Sequence, residues 1–346
     1  MKQRLRLIKS LNTDIYYNFS KPLSYGKAIT WIDVKGGRGI GKTTGSLILS
    51  GNWFNKYGSE FVYIRRYKPE LQKFVRKDTL KDVMPDVTYK GDGNGGFTVI
   101  NSDDVVGHLI PLSTGIQYKS VQFPNVKLII YDESSLPKGN THYIPDEVTA
   151  LMELISSIVR TRTDYKIITL SNNVDLFAPI NRFYNIPLFE DCYIDKKRGL
   201  FFEHPKNNPK LLELEKQTPL YRLTQGTAYH DYHYNNKYIK GYTERIGTTP
   251  ITKSLLCRIV MNNETTNVYT YIEPNKGVNI YFETKQKKIM DNITYIIEED
   301  GKANYFYIDL FRKKIKPFLS KIYYNNLYLC DNERTTAIIA WIMENI

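Results

Sequence analysis

A chain of 346 residues with 42% hydrophobic side chains is long enough for two domains with ordinary buried cores, which sets aside disordered and fibrous classes. Its formal net charge of +12 points to an anionic partner, nucleic acid ahead of a membrane surface. Cys192, Cys257 and Cys330 are far apart and form no metal-ligand spacing, so buried thiols in a reducing cytosol are expected. Met1 to Leu11 is charged and lacks the apolar core of a secretion signal, and the apolar run Ala337 to Met343 is far shorter than the roughly 20 residues that cross a bilayer. The expectation is a soluble protein with no membrane partner.

In chain order, the first strong signal is an apolar β-type run, Ala28 to Val34, that feeds Gly36-Gly37-Arg38-Gly39-Ile40-Gly41-Lys42-Thr43-Thr44. The spacing from Gly36 to Thr43 fits G-x-x-x-x-G-K-[ST], in which glycines let backbone N–H groups turn inward around a polyphosphate. Lys42 is expected on the β- and γ-phosphates of ATP, Thr43 on Mg²⁺, and a helix continuing through Ser46 to Leu49 with its positive end at the anion. A dinucleotide fingerprint fits worse, since G-x-G-x-x-G read from Gly37 needs glycine where Lys42 stands.

Phe61 to Arg66 reads as a second strand ending in the cluster Arg65-Arg66-Tyr67-Lys68-Pro69-Glu70. Those cations line the ligand crevice of an open α/β sheet, approach a neighbouring subunit, or form a solvated face; the sequence leaves this open. Asp82 to Leu112 alternates short β-rich runs around Gly91-Asp92-Gly93-Asn94-Gly95-Gly96 and reads as a hairpin-like insertion. Val126 to Tyr131 is a buried-type strand that delivers Asp132 and Glu133 at its carboxyl end. In nucleotide hydrolysis Asp132 would hold Mg²⁺ through its water shell while Glu133 polarises the attacking water.

A helix with the apolar face Val148, Leu151, Met152, Leu154, Ile155, Ile158 and Val159 begins near Ile144-Pro145-Asp146-Glu147 and leads to Arg160-Thr161-Arg162. Arg162 is either an arginine finger for an adjacent subunit or a surface ion-pair partner. Lys166 to Leu170 is a further strand, ending in Ser171-Asn172-Asn173, where Asn172 either senses the γ-phosphate or closes a turn. The order predicts an α/β P-loop NTPase of the additional-strand, catalytic-glutamate type.

Gly37 to Lys42, Tyr63-Ile64-Arg65-Arg66-Tyr67-Lys68-Pro69-Glu70-Leu71, Phe123 to Val126, Asp132-Glu133, Tyr143 to Leu151 and Leu170-Ser171-Asn172 resemble, in the same order, the genome-packaging ATPases of phi-29-type bacteriophages. Beyond the first half, Gly226 to Tyr229, Asn236 and Tyr238-Ile239 fit that family's linker. The resemblance implies a homo-oligomeric, pentameric ring on the portal of an empty capsid that drives double-stranded DNA inward with ATP. It implies Arg162 as a finger acting in trans and Lys119 as a basic residue presented to the neighbour's site, with a packaging RNA as a further partner in some members. The expected location is the host cytoplasm and, transiently, the portal vertex of the procapsid.

Residues 204–243 mix prolines with a short helical run, Leu211 to Glu215, and read as a small linker domain between a 1–203 ATPase domain and a 244–346 C-terminal domain. His230 and His233 are spaced for a metal on a helix, but no further ligands accompany them. From Leu255 three strand-like runs precede a strand at Thr294 to Glu298 and helices near Phe306 to Ile315 and Glu333 to Met343, the order of an α+β ribonuclease-H-like domain. Glu273, Asp291 and Asp309 are available for two-metal chemistry, while the resemblance implies a vestigial nuclease. Lys285, Lys287, Lys288, Lys313, Lys314 and Lys316 are the candidate contacts to DNA, RNA or portal. Another phage P-loop ATPase, such as a helicase or partition ATPase, or a terminase with an active nuclease, is the alternative.

Overall fold

The computed structural model describes the chain apart from residues 1, 2, 9, 137–141, 173–177, 185, 187–190, 207, 235–244, 262, 263, 275, 276, 286–290, 292, 298–304 and 346. Its contacts divide it into two compact units, Met1–Ala178 with Glu190–Ile239, and Pro179–Phe189 with Lys240–Ile346.

The elements in order are α1 (Ser20–Leu23), β1 (Trp31–Gly36), α2 (Lys42–Tyr57), β2 (Glu60–Arg65), α3 (Lys68–Arg76), β3 (Val87–Gly91), β4 (Phe97–Asn101), β5 (Asp104–Pro111), β6 (Val126–Asp132), α4 (Glu147–Val159) and β7 (Lys166–Asn172). After α5 (Pro179–Tyr184), which groups with the second unit, come β8 (Cys192–Asp195), β9 (Leu200–Glu203), α6 (Pro209–Lys216), α7 (Pro219–Thr224) and α8 (Ala228–Tyr234). Among the described residues, the first unit's sheet has the order β3-β4-β5-β2-β6-β7-β1-β9-β8. Strands β5, β2, β6, β7, β1 and β9 run parallel, so their carboxyl ends lie along one edge.

The central strands are buried on both faces, which is why they read as unbroken apolar runs rather than alternating ones. Ile32, Val34, Phe61, Tyr63, Leu128, Ile130, Ile168 and Leu170 form one core with Leu47 and Phe54 of α2 and Leu71 and Phe74 of α3. Helix α2 ends at Gly58, whose left-handed φ of 62° lets its N–H reach the Phe54 carbonyl. The 82–112 stretch is more than a hairpin: β3 and β4 are antiparallel, but β5 pairs in parallel with β2 and extends the main sheet.

The second unit holds β10 (Ser254–Met261), β11 (Glu264–Glu273), β12 (Gly277–Lys285), β13 (Thr294–Ile296), α9 (Tyr305–Lys314), α10 (Lys316–Tyr324), β14 (Tyr328–Cys330) and α11 (Glu333–Asn345). Its sheet order is β13-β10-β11-β12-β14, with β10, β11 and β12 antiparallel, β13 parallel to β10, and β14 parallel to β12. Among the described residues no helix is long and apolar enough to cross a membrane.

Gly107 on β5 faces β2 so closely that a Cβ there would stand 2.7 Å from both the ring and the carbonyl oxygen of Phe61. Gly107→Ala is therefore expected to cost about 1–3 kcal/mol, read as a lower denaturant midpoint. Gly91→Ala, which meets nothing within 4 Å, should leave the midpoint unchanged; equal midpoints for the two variants would contradict the tight β2–β5 packing.

Candidate active site

The carboxyl edge of the parallel strands carries the phosphate-type loop. Gly39 and Gly41 have φ of 79° and 84°, a region that side-chain-bearing residues rarely enter, and this turns the chain from β1 into α2. The N-terminal segment braces the loop: the Tyr17 N–H donates to the Ile40 carbonyl at 2.9 Å, and a Cβ on Gly41 would stand 3.0 Å from Tyr16. Pro205 closes on Gly36 from the other side.

Lys42 folds back over this loop. Its Nζ donates to the carbonyls of Gly36 at 2.9 Å and Gly37 at 2.7 Å, with Asn172 Oδ1 at 3.4 Å. Burial lowers its pKa to about 8, with Arg38 acting in the same direction and Asp132 against it. The amine is thus a buried cation held by neutral carbonyls, a place where phosphate oxygens would be strongly favoured.

Asp132, at the end of β6, gathers the site. Its Oδ2 accepts from Thr43 Oγ1 at 2.9 Å and from the Tyr63 hydroxyl at 2.6 Å, and Arg65 Nη2 stands 3.6 Å away. Burial first, then Asp132, holds the Tyr63 pKa well above its usual value, so the phenol stays a donor. For Arg65, burial opposes the charge, but Tyr63, Asp132 and Glu133 outweigh it and the guanidinium remains ionised. Arg65 Nη1 pairs with Glu133 Oε2 at 2.7 Å, and Glu133 sits at a left-handed φ of 60° with its side chain 54% exposed. Loop residues 38–44, Asp132, Glu133, Ser171 and Asn172 surround a cavity of about 250 Å³. A hard divalent cation would find a hydroxyl and a carboxylate there, in Thr43 and Asp132.

Of the predicted site residues, Gly36 to Thr44, Asp132, Glu133 and Asn172 converge here, whereas Arg162 and Lys119 do not. Arg162 donates to the carbonyls of Pro124 at 3.1 Å, Val126 at 2.5 Å and Ile158 at 2.9 Å. Val126 opens β6 and Asp132 closes it, which puts Arg162 about 20 Å from its own chain's site at about 3.3 Å per residue. Among the described residues its hydrogen bonds go to backbone carbonyls rather than to the carboxylate of a surface ion pair, although, after Lys127, its charge helps to lower the pKa of Asp164. Lys119 pairs with Glu153 at 2.9 Å, both half-exposed. Asn173 lies outside the described residues, as do Asn236, Tyr238, Ile239, Lys287 and Lys288.

Several contributors were not singled out from the sequence. Tyr63 looked like one more strand residue, and the solvated-face reading of Arg65 and Arg66 is corrected: Arg66 is fully buried against Glu147. Asp33 and Lys35 are also buried in β1; Asp33 accepts from Thr169 at 2.7 Å, and burial raises its pKa against the pull of Lys35 and Thr169. Charged residues alternating inside an apolar strand were the available signal. His230 is core rather than metal ligand: its ring packs on Tyr221 at 4.6 Å and Nδ1 is 3.2 Å from Thr224 Oγ1.

In the second unit Asp291 is ion-paired with Arg258, which also reaches Asn267 at 3.1 Å, and Asp309 stands 3.7 Å from Arg312. Among the described residues no group of three or more His, Cys, Asp or Glu is placed to hold a metal ion. Lys285 is 3.7 Å from Glu283, Lys313 and Lys314 are exposed, and Lys316 is half-buried.

Residues 11–343 match a family described as podovirus DNA encapsidation protein (Gp16). The DNA packaging protein of Bacillus phage phi29 is 29% identical over 303 residues, covering 85% of this chain and 86% of that protein. A chain of the bacteriophage Phi-29 viral genome packaging motor assembly superposes with a TM-score of 0.58 at 26% identity, over 95% of this chain and 99% of that one. The Phi-28 gp11 DNA packaging motor matches with a TM-score of 0.55 over 96% and 98%; at 17% identity this is a likeness of fold.

Because Arg162 bonds three carbonyls of its own chain, Arg162→Ala is expected to destabilise the isolated protein by about 1–3 kcal/mol, measured by denaturant unfolding. A variant as stable as wild type would mean that these bonds carry no weight in the free chain.

Proposed function

The chain belongs to the podovirus DNA encapsidation protein (Gp16) family, and we propose that it is an ATPase that packages double-stranded DNA into a preformed capsid. The observation that carries the reading is the Thr43 hydroxyl on the Asp132 carboxylate at 2.9 Å, beside a buried Lys42 and with Glu133 at the mouth of the same cavity. These residues fit ATP and Mg²⁺: the glycines open the loop's N–H groups, Lys42 supplies the cation, and Thr43 and Asp132 supply oxygen ligands. Mg²⁺ would neutralise phosphate charge from Thr43 and, through water, from Asp132.

In this reading the loop residues Gly36 to Thr44 bind the polyphosphate, and Lys42 leaves the Gly36 and Gly37 carbonyls for its oxygens. Glu133 takes the proton of the attacking water, and Arg65 beside it orients the carboxylate. Asn172, within reach of Lys42, would sense the γ-phosphate. The separation of β1 from β6 by β7 supports the additional-strand, catalytic-glutamate class.

Arg162 lies at the far end of β6, too distant to serve its own chain, which supports a finger supplied to a neighbour in a homo-oligomeric ring. Lys119 would accompany it. The packaging motor assembly to which the chain is similar supports a multi-component machine. We extend this to a pentameric ring that acts on the portal from the host cytoplasm, docked, as in some members of the family, through a packaging RNA. Residues 1–203 would be the ATPase domain, 204–243 the linker and 244–346 the nucleic-acid or portal-binding domain. The three antiparallel strands with a fourth parallel to the first support a ribonuclease-H-like origin for the last, although β14 pairs on the β12 edge. The pairing of Asp291 with Arg258 supports a vestigial nuclease.

Glu133→Gln is expected to keep ATP affinity within a few-fold while lowering turnover by about 10²–10⁴; turnover at the wild-type rate would remove Glu133 from the mechanism. ATP affinity should also report Lys42. Its free-state pKa is about 8, so below that pH the amine is already charged and affinity is flat. Above it, binding must take up a proton, and affinity should fall by up to about tenfold per pH unit, the terminal phosphate (pKa about 6) being already ionised. Titration of a fluorescent ATP analogue from neutral pH upward checks this; an affinity that stays flat well above the Lys42 pKa would contradict it.

A further inference from the structure

We infer that Arg66 is a positioning residue for the carboxylate of Glu133, acting through the main chain that carries it. The inference rests on the hydrolytic reading above. Arg66 is fully buried, 0% exposed, and a guanidinium shut away from water must place its five N–H donors on protein acceptors. Four are placed. Nε and Nη2 grip Glu147 in bidentate fashion at 2.6 and 2.9 Å, Nη1 donates to the carbonyl of Glu133 at 3.0 Å, and Nη2 to that of Ser134 at 3.2 Å. Tyr131 and Tyr143 flank the cation with ring centroids 5.6 and 5.1 Å away. Glu147 in turn accepts from the Tyr131 hydroxyl at 2.7 Å and the Ile144 N–H at 3.1 Å.

A buried ion pair is not kept for stability alone, since apolar residues of equal volume generally serve as well. What sets this one apart is where its remaining donors go. They fall on the two carbonyls that begin the chain's departure from β6, and the first belongs to a residue in the left-handed region, at φ 60°. A non-glycine residue keeps such a conformation only when its surroundings over-determine it. Arg66 supplies that determination from inside, fixing the direction from which the Glu133 side chain leaves the sheet, while Arg65 holds its carboxylate from outside. A lysine offers donors from a single point and cannot bridge Glu147 and both carbonyls, so charge alone does not replace the fork.

The test compares the full-length wild type with Arg66→Lys, Glu133→Gln and the double variant, measuring ATP affinity, single-turnover hydrolysis and affinity for ADP with aluminium fluoride. Arg66→Lys is expected to slow the chemical step about 10²-fold, the scale set by a small misplacement of a catalytic group, with ATP affinity nearly unchanged. Affinity for the transition-state analogue should fall with the rate. The double variant should be no slower than Glu133→Gln alone, because Arg66 acts only through that carboxylate. A wild-type rate for Arg66→Lys, or losses that add to those of Glu133→Gln, overturns the assignment and leaves the hydrolytic reading standing. If Arg66→Lys does not fold, Glu147→Gln carries the same comparison under the same criteria. A wild type that binds no ATP overturns the hydrolytic reading itself, and this assignment with it.

Discussion

The rest of the first unit depends on one buried carboxylate. Asp132 is 4% exposed, and an ion taken that far out of water needs partners on every side. It finds them on separate elements: Thr43 from the first turn of α2, Tyr63 and Arg65 from β2, and the N–H of Glu133 from its own chain. Each can arrive only if the sheet order sets β2 beside β6 and the loop of β1 one strand further on, across β7. The chemistry of the site and the topology of the sheet are therefore the same constraint seen at two scales. A glycine loop without Asp132 would bind anions; with it, the loop is tied to a residue suited to a hard cation.

Around that junction the molecule stores charge in buried places and satisfies it there. Lys42 rests on the loop's own carbonyls and Arg66 on Glu147, while Arg162, only half-buried, rests on carbonyls at the opposite end of β6. Helix α4 begins at Glu147 and carries in its last turn the Ile158 carbonyl that Arg162 bonds. One helix thus spans from the support behind Glu133 to the arginine at the far edge. On the proposed reading, a head-to-tail ring is the arrangement that uses both ends, since a heterologous contact brings one chain's far edge to the next chain's cavity.

How much of this was legible beforehand follows from the physics of each element. The glycine turn between β1 and α2 and the acid-ended strand β6 were plain as elements, because glycines after an apolar run and an unbroken apolar run ending in two carboxylates mark their boundaries locally. Arg65 and Arg66 were ambiguous because a polar cluster after a strand looks the same whether it meets solvent or a carboxylate from a distant helix. Glu147 decides the matter, and in the sequence it passed for an ordinary first-turn acid. The parallel pairing of β5 with β2 was hidden because a crossover leaves no local signature, and β14, three residues long, is too short to show any period. In the second unit the run of strands could be read, but the edge on which the last one pairs could not.

The most direct test of the central claim is ATP hydrolysis by the wild-type protein, measured with Mg²⁺ across protein concentration, with and without duplex DNA. Turnover is expected to depend on Mg²⁺, to rise more steeply than linearly with protein and to increase further with duplex. Turnover strictly proportional to protein and indifferent to DNA, under conditions where assembly is shown independently, would contradict a ring motor with shared sites.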